Sequence, residues 1–184
     1  YISVFRLSDK AEKEELIFLR NLKSYCQKRE IKLQILGSSN SLIENDFYSN
    51  IFGPTMFKFI PRYEKRKTYS IVDCAKITVS IDSTLGYEAA SRGNNVGFFC
   101  IRSKKKYPFF SLKFGWPVKK KNSGPFWTNK NSFLEMSRIL DYLSYTNTKD
   151  LKRTFSKEFS NVMRYDKGNK KFLLLKKNMK HDNS

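Results

Sequence analysis

The segment Lys76–Phe99, KITVSIDSTLGYEAASRGNNVGFF, constrains the fold more than any other part of the chain. Its β-branched run Ile77–Ile81 predicts a buried strand, and Leu85–Arg92 predicts a short helix. Val96–Cys100 predicts a second strand after a Gly-Asn-Asn helix end. Two strands joined by one helix within about thirty residues run parallel, so the segment predicts a βαβ unit.

The turn between this first strand and the helix is a candidate phosphate site, because a helix N-terminus presents unpaired N–H groups and partial positive charge. Ser83 and Thr84 would add hydroxyl donors there, and Gly86 would let a ligand approach the backbone. Glu88 could accept hydrogen bonds from two sugar hydroxyls. The alternative is that Ser83 only caps the helix and Glu88 is a solvated surface residue.

Strand and helix patterns alternate through residue 100, which predicts an α/β fold with a Rossmann-like, mostly parallel sheet and helices on both faces. The loop 37–40 and Arg62 each follow a predicted strand, at the end where such sheets bind ligands, although the loop is also a plain turn. Arg62 or Arg102 could add a bidentate phosphate contact. The other predicted strands are Ile2–Phe5, Ile31–Leu36 and Met56–Ile60, and the helices between them begin near Ser8, Ser41 and Tyr69.

Residues 101–128 interrupt the alternation with a basic run followed by YPFF, FGWP and GPFW, and contain both tryptophans. A loop of about 25 residues in a compact domain is usually functional or disordered, and the aromatic content argues against disorder. Two interpretations remain open, an active-site loop or a structural loop whose aromatic residues cover the sheet. The residues concerned are Phe114, Trp116, Phe126 and Trp127.

Helical spacing of apolar residues predicts two further helices, 132–143 and 148–162, and a last short helix, Phe172–Lys177. We therefore divide the chain into a Rossmann-like domain (1–146, with the aromatic loop 101–128), C-terminal helices (147–178) and a frayed tail (179–184).

The net charge of +19, from 36 Lys and Arg against 17 Asp and Glu, favours an anionic partner. The basic surfaces around Lys149–Lys157 and Lys170–Lys180 indicate peripheral contact with an anionic membrane. No stretch approaches the ~18 apolar residues of a membrane-spanning helix. Nucleic acid is the least favoured partner, because no helix-turn-helix, zinc-finger or RNA-binding aromatic pattern is present.

The three cysteines, Cys26, Cys74 and Cys100, are widely spaced in apolar segments, which predicts reduced thiols in a cytoplasmic protein. The only histidine is His181, so Ser-His-Asp and Cys-His sites and histidine-rich metal sites are not expected. With no paired acidic motif either, we expect no metal and no cofactor.

The motif DSTLGYEAxxRG, followed by FGWP and GPFW, resembles a family of bacterial surface-carbohydrate biosynthesis proteins linked to O-antigen or lipopolysaccharide assembly. The family is associated with the GT-B glycosyltransferase fold, and the resemblance covers most of residues 1–170. The matching residues are Asp82–Ala89, Arg92, Gly93, Phe114–Pro117 and Gly124–Trp127, with further matches at Pro61, Arg62 and Tyr69–Asp73.

The resemblance implies that the chain, which begins at Tyr1, is the C-terminal donor-binding half of a GT-B enzyme. The missing N-terminal half would supply the acceptor site and the catalytic base, so the catalytic residues stay unknown and the chain alone would be inactive. Ser83, Thr84 and the N–H groups up to Gly86 would bind the diphosphate of a nucleotide-sugar, and Glu88 its ribose. The acceptor would be a glycan or a lipid-linked glycan, at the inner face of the membrane.

Two alternatives remain. A sugar-nucleotide epimerase of GT-B architecture has a similar serine-glycine-glutamate helix, but FGWP and GPFW do not belong to its pattern. A basic nucleic-acid-binding module would bind with a steep salt dependence.

Overall fold

The computed structural model describes residues 2–3, 13–38, 42–62, 67–81, 83–102 and 113–181. The strands are β1 (Ile2–Ser3), β2 (Leu33–Leu36), β3 (Phe57–Ile60), β4 (Thr78–Ser80), β5 (Val96–Phe99), β6 (Ser123–Gly124) and β7 (Trp127–Thr128). The helices are α1 (Lys13–Lys28), α2 (Leu42–Phe52), α3 (Lys67–Asp73), α4 (Thr84–Ser91), α5 (Phe133–Tyr145), α6 (Thr148–Phe159) and α7 (Lys170–His181), with a 3₁₀ turn at Lys167–Asn169.

These strands form one sheet in the order β3-β2-β1-β4-β5-β7-β6. Neighbouring strands from β3 to β7 run parallel, and β6 pairs antiparallel with β7 at the edge. The predicted βαβ unit is confirmed, because β4 and β5 are parallel neighbours with Thr78 opposite Val96. The chain runs outward from β1 to β3, then crosses back to β4 and runs outward on the other side. The switch point, where open α/β sheets bind ligands, therefore lies between β1 and β4.

Helices cover both faces of the sheet. On one face α1 packs against α2 and α5, and on the other α4 packs against α3 and α6. Right-handed crossovers explain this division, because the direction of winding reverses where the chain crosses to β4. The fold is thus a Rossmann-like α/β fold followed by C-terminal helices, as predicted.

The core lies between the sheet and the two helix layers. All four residues of β5 are buried, which explains its continuous apolar run VGFF. Phe18 of α1 packs on Phe99 of β5 with ring centroids 5.0 Å apart. On the other face, the rings of Phe98 and Phe159 stack at 5.8 Å. Cys26 and Cys100 are buried and Cys74 is exposed, all three as free thiols.

The structure differs from the sequence prediction mainly after residue 100. Within the predicted loop, β6 and β7 extend the sheet, with Trp127 opposite Phe98 of β5. The last helix is longer than predicted, since α7 continues to His181 and residues 179–181, expected to fray, are helical. The predicted helix start at Ser8, the loop residues 39–40, Asp82, the basic run with YPFF at 103–112, and the tail 182–184 lie outside the described residues.

Candidate functional site

Ser83 lies at the switch point, in the turn from β4 to α4, and caps the helix. Its backbone is extended, and its hydroxyl accepts a hydrogen bond from the Leu85 N–H at 3.1 Å. The Ser83 N–H donates to Ser80 Oγ at 3.3 Å, and the residue is only 1% exposed. In this structure the Ser83 side chain therefore acts as the N-cap of α4, in agreement with the capping interpretation.

Thr84, the next residue after Ser83, is exposed. The N–H groups of Gly86 and Tyr87 are both directed at the Ser83 carbonyl, at 3.0 and 3.3 Å. Within the described residues, the N–H and hydroxyl of Thr84 have no hydrogen-bond partner. Among the described residues of this turn, the donors available to an anion are thus those of Thr84, joined by the Leu85 N–H if the Ser83 hydroxyl releases it.

Gly86 packs α4 against the sheet, which corrects the role expected from the sequence. A Cβ built on this residue would overlap Ser80 Oγ, lie 2.5 Å from Ser80 Cβ and lie 3.4 Å from Phe98 Cε1. The absent side chain lets the helix approach β4 and β5 closely, as a glycine does at other strand–helix turns of this kind. The space that a Gly86 side chain would occupy is filled by Ser80.

Glu88 lies one turn after Thr84, on the same face of α4. The Tyr69 hydroxyl of α3 donates to Glu88 Oε2 at 2.6 Å. One turn further, Arg92 Nη2 lies 2.9 Å from Asp73 Oδ1, and its guanidinium lies over the Tyr69 ring at 4.7 Å. Tyr69 and Asp73 are four residues apart, as are Glu88 and Arg92, so the two pairs form a ladder between α3 and α4, here called the α3–α4 ladder.

The α3–α4 ladder fixes the position of the Glu88 carboxylate and leaves part of it available. The hydrogen bond with Glu88, helped by partial burial, raises the pKa of Tyr69, which keeps the phenol protonated as a donor. Burial alone would raise the pKa of Asp73, but hydrogen bonds from Arg92 and Asn94 hold it below its ordinary value. Among the described residues, no partner contacts the second Glu88 oxygen, Oε1, so it can accept a hydrogen bond from a ligand hydroxyl.

The contacts described for Arg62 and Arg102 are with residues outside the Ser83–Thr84 turn. Arg62 follows β3, and its Nη1 donates to the Ser38 carbonyl at the end of β2, at 3.5 Å. In the strand order β3 is three positions from β4, which is about 14 Å across a sheet. Arg102 follows β5, beside β4, but its Nε donates at 2.8 Å to Glu15 of α1 in a largely buried ion pair.

Three of the four aromatic residues predicted for an active-site loop lie in the core. Phe114, Phe126 and Trp127 are at most 3% exposed, and the rings of Phe114 and Trp127 stack at 4.7 Å. The FGWP turn is tied to α4 because the Gly115 N–H donates to the Tyr87 hydroxyl at 3.2 Å. Only Trp116 of these four projects into solvent, at 66% exposure. The geometry of the other three matches the interpretation in which they cover the sheet.

Sequence reasoning assigned no site role to two residues that shape the carboxyl edge of the sheet. Tyr69 was noted only as part of a predicted helix and of the matched segment Tyr69–Asp73. Glu44 of α2 is 2% exposed, and its carboxylate accepts hydrogen bonds from the Ser38 N–H at 2.9 and 3.0 Å. It holds the start of the loop after β2, but a glutamate near the start of a helix is too common to stand out.

A cavity of about 330 Å³ lies between the C-terminal end of α4 and α6, at the opposite end of α4 from Ser83. It combines cations with aromatic and hydroxyl side chains, among them Lys152, Arg164, Phe155, Phe159 and Ser156. Across the described ranges, no group of three or more His, Cys, Asp or Glu side chains could hold a metal ion.

Comparison with known families adds an independent finding. A family model described as "putative O-antigen biosynthesis protein" matches residues 7–180, which include the β4–α4 turn, the aromatic segment and the C-terminal helices. No curated protein and no solved structure matches the chain. The match confirms the O-antigen part of the resemblance seen in the motifs. The chain belongs to this O-antigen biosynthesis family.

Proposed function

We propose that the chain binds a nucleotide-sugar and forms the donor-binding half of a glycosyltransferase in bacterial surface polysaccharide assembly. The observation that carries the proposal is the position of Thr84 and Glu88, one turn apart on α4 at the switch point of a Rossmann-like sheet. O-antigen is a polysaccharide, and its assembly requires activated sugars, so the family supports a carbohydrate substrate.

In this proposal the diphosphate of the donor lies at the start of α4. The Thr84 N–H and hydroxyl donate to it, and the partial positive charge of the helix N-terminus adds to their effect. The same donors would stabilise the negative charge that develops on the leaving nucleotide, which is an electrostatic route to a lower barrier. No metal is required for this role.

The ribose would lie one turn further along α4, against Glu88. Four residues of helix span about 6 Å, which suits the separation of the diphosphate and ribose of one nucleotide. Glu88 Oε1 would accept from a ribose hydroxyl while the Tyr69 hydroxyl holds Oε2. We assign the acceptor site and the catalytic base to a second, GT-B-type domain of a longer parent protein, so this chain would bind the donor without transferring its sugar.

The test is calorimetric titration of the chain with UDP, GDP, CDP, ADP and CMP. The decisive variant is Thr84→Val, which removes a hydroxyl without changing the shape of the side chain. Its matched control is Thr148→Val, because Thr148 holds the same exposed position after the N-cap of α6. Ser83→Ala is less informative, because it removes the cap of α4 and would confuse folding with binding.

We expect one diphosphate to bind best and Thr84→Val to weaken it about tenfold, the usual effect of one hydrogen bond to a charged group. Glu88→Gln should weaken a ribonucleotide and leave its 2′-deoxy form less affected, while Thr148→Val should change nothing. Absence of binding to all five nucleotides, or equal losses in the two threonine variants, would contradict the proposal.

A further inference from the structure

Helix α7 carries apolar side chains that are mostly exposed. Its main packing is against the 3₁₀ turn that precedes it. Five large apolar side chains of this helix are each more than half exposed, between 57% and 67%. They are Phe172, Leu173, Leu174, Leu175 and Met179.

The connection before α7 turns the chain away from α6. Gly168 and Asn169 both have left-handed backbone conformations, with φ of 74° and 53°. Asp166 then caps the new helix, because its Oδ2 accepts from the Lys171 N–H at 2.8 Å. α7 is therefore a separate helix with a defined start, and not a continuation of α6.

A helix of this kind needs a surface to lie on. α7 has 12 residues, and isolated helices shorter than about 12–15 residues are only marginally stable in water. Most of the stability of helices in proteins comes from packing an apolar face against other elements. Within the described residues, little of the apolar face of α7 is packed in this way.

The positive charge of α7 and of the 3₁₀ turn before it indicates what kind of surface α7 would lie on. Residues 167–181 contain six lysines and no aspartate or glutamate. Phe172, Leu175 and Met179 are spaced three and four residues apart and share one side of the helix, flanked by Lys171 and Lys176. An apolar side bordered by lysines is typical of helices that lie in the interface of an anionic bilayer. Charge repulsion disfavours pairing with the same helix of a second copy.

α7 differs from α6, the other basic helix, in the exposure of its apolar side chains. α6 also carries lysines, but its apolar residues Leu151, Phe155 and Phe159 are buried against the domain. The lysines of α6 therefore form a solvated face with no apolar residues left to insert. Within the described ranges, no helix has the length and hydropathy needed to cross a bilayer.

We propose that α7 binds the surface of an anionic lipid bilayer, with Phe172, Leu175 and Met179 inserted below the headgroups and the lysines beside the lipid phosphates. This contact would hold the domain at the membrane whether or not a nucleotide is bound.

The experiment is flotation of the purified chain with vesicles of phosphatidylcholine alone or with about one-third phosphatidylglycerol. One variant, Lys171→Gln/Lys176→Gln, removes the two lysines that border the apolar side of α7. Its matched control, Lys149→Gln/Lys152→Gln, removes the same charge from exposed positions of α6. A third variant, Phe172→Ser/Leu175→Ser/Met179→Ser, removes the apolar side and keeps every lysine.

We expect the chain to float only with anionic vesicles. The α7 lysine variant should bind about 30-fold more weakly, the usual effect of losing two basic residues at an anionic surface. The α6 variant should lose less than threefold, and the serine variant should lose binding while keeping its thermal midpoint. Failure of the unaltered chain to float, equal losses in the two lysine variants, or unchanged flotation of the serine variant would overturn the proposal. So would a change from dimer to monomer in the serine variant, since it would show that α7 covers a second copy.

Discussion

At the scale of single residues, two buried tyrosines make opposite contributions to stability. The Tyr25 hydroxyl donates to Asp141 at 2.7 Å, whereas the Tyr48 hydroxyl is fully buried and, within the described residues, has no partner. A buried polar group without a partner has lost its hydrogen bonds to water and forms none in the folded chain, so its burial is destabilising. We expect Tyr48→Phe to stabilise the chain by about 1 kcal/mol and Tyr25→Phe to destabilise it by about 1–2 kcal/mol. Urea denaturation measures both, and equal losses would show that Tyr48 has a partner in solution.

Gly86 gives a second prediction at this scale. Because an added Cβ would overlap Ser80 Oγ, Gly86→Ala should destabilise the domain by about 2–3 kcal/mol, as overpacking does in other cores. The same substitution in a Ser80→Gly background should cost much less, because the overlapping atoms are gone. A double-mutant cycle by urea denaturation measures the difference. If the losses in unfolding free energy from the two substitutions simply add, Gly86 does not lie as close to Ser80 as in this structure.

The residues of the β4–α4 turn show what a sequence can and cannot predict about a site. The pattern Asp-Ser-Thr after a β-branched run located the turn, because capping residues and strand residues have strong local preferences. It did not reveal whether Gly86 faces a ligand or the sheet, since that depends on Ser80 and Phe98 of two strands. Nor did it reveal that Tyr69 holds Glu88, a contact between residues 19 positions apart.

At the scale of elements, the α3–α4 ladder predicts a pH-dependent contribution to stability. The pKa of Asp73 is lowered in the folded chain, so its contribution is complete above the ordinary aspartate pKa and disappears as the pH falls through the lowered value. The difference in unfolding free energy between the chain and Asp73→Asn should thus be constant from pH 7 to about 5 and vanish toward pH 2–3. Its size should stay below about 1 kcal/mol, because the Asp73 side chain is 45% exposed.

Denaturation at several pH values measures this difference. Asp46→Asn, which removes an exposed aspartate of α2 outside the ladder, is the control for a simple change of charge. A difference that grows as the pH falls would show that Arg92 does not stabilise the Asp73 carboxylate.

Elements were predictable where periodicity extends over several residues. β4, α4 and β5 were predicted to within one residue at every end, because a β-branched run, a capped helix and a second apolar run follow one another closely. β6 and β7 have two residues each, too few to show alternation, and their pairing depends on contact with β5. The aromatic residues around them are therefore identifiable as core only from the tertiary structure.

At the scale of the whole molecule, the order of the strands determines which predicted residues can act together. The sequence indicates that the segments of β1 to β5 are strands, but it does not show that β3 lies three positions from β4. This order keeps Arg62 with Ser38 and away from Thr84, and it places the start of α4 beside β1 at the switch point. A site assembled from neighbouring strand ends cannot be read from one chain segment alone.

The net charge of +19 also acts on the whole molecule and gives the last prediction. Like charges repel more strongly in the folded chain than in the expanded one, and salt screens this repulsion. Salt also weakens ion pairs, but exposed pairs such as Arg153–Asp150 contribute at most about 1 kcal/mol. We therefore expect repulsion to dominate and the thermal midpoint to rise by a few degrees between about 10 and 200 mM NaCl.

The Lys171→Gln/Lys176→Gln variant should show a smaller rise, because it carries two charges fewer. A midpoint that falls with NaCl would mean that ion pairs such as Arg102–Glu15 outweigh the repulsion.

Nucleotide binding is separable from screening, because a bound ligand raises the midpoint at constant ionic strength and in proportion to ln(1 + [L]/Kd). A rise produced by micromolar diphosphate at 200 mM NaCl, reduced by Thr84→Val and unchanged by Thr148→Val, would therefore report the site on α4 and not the overall charge.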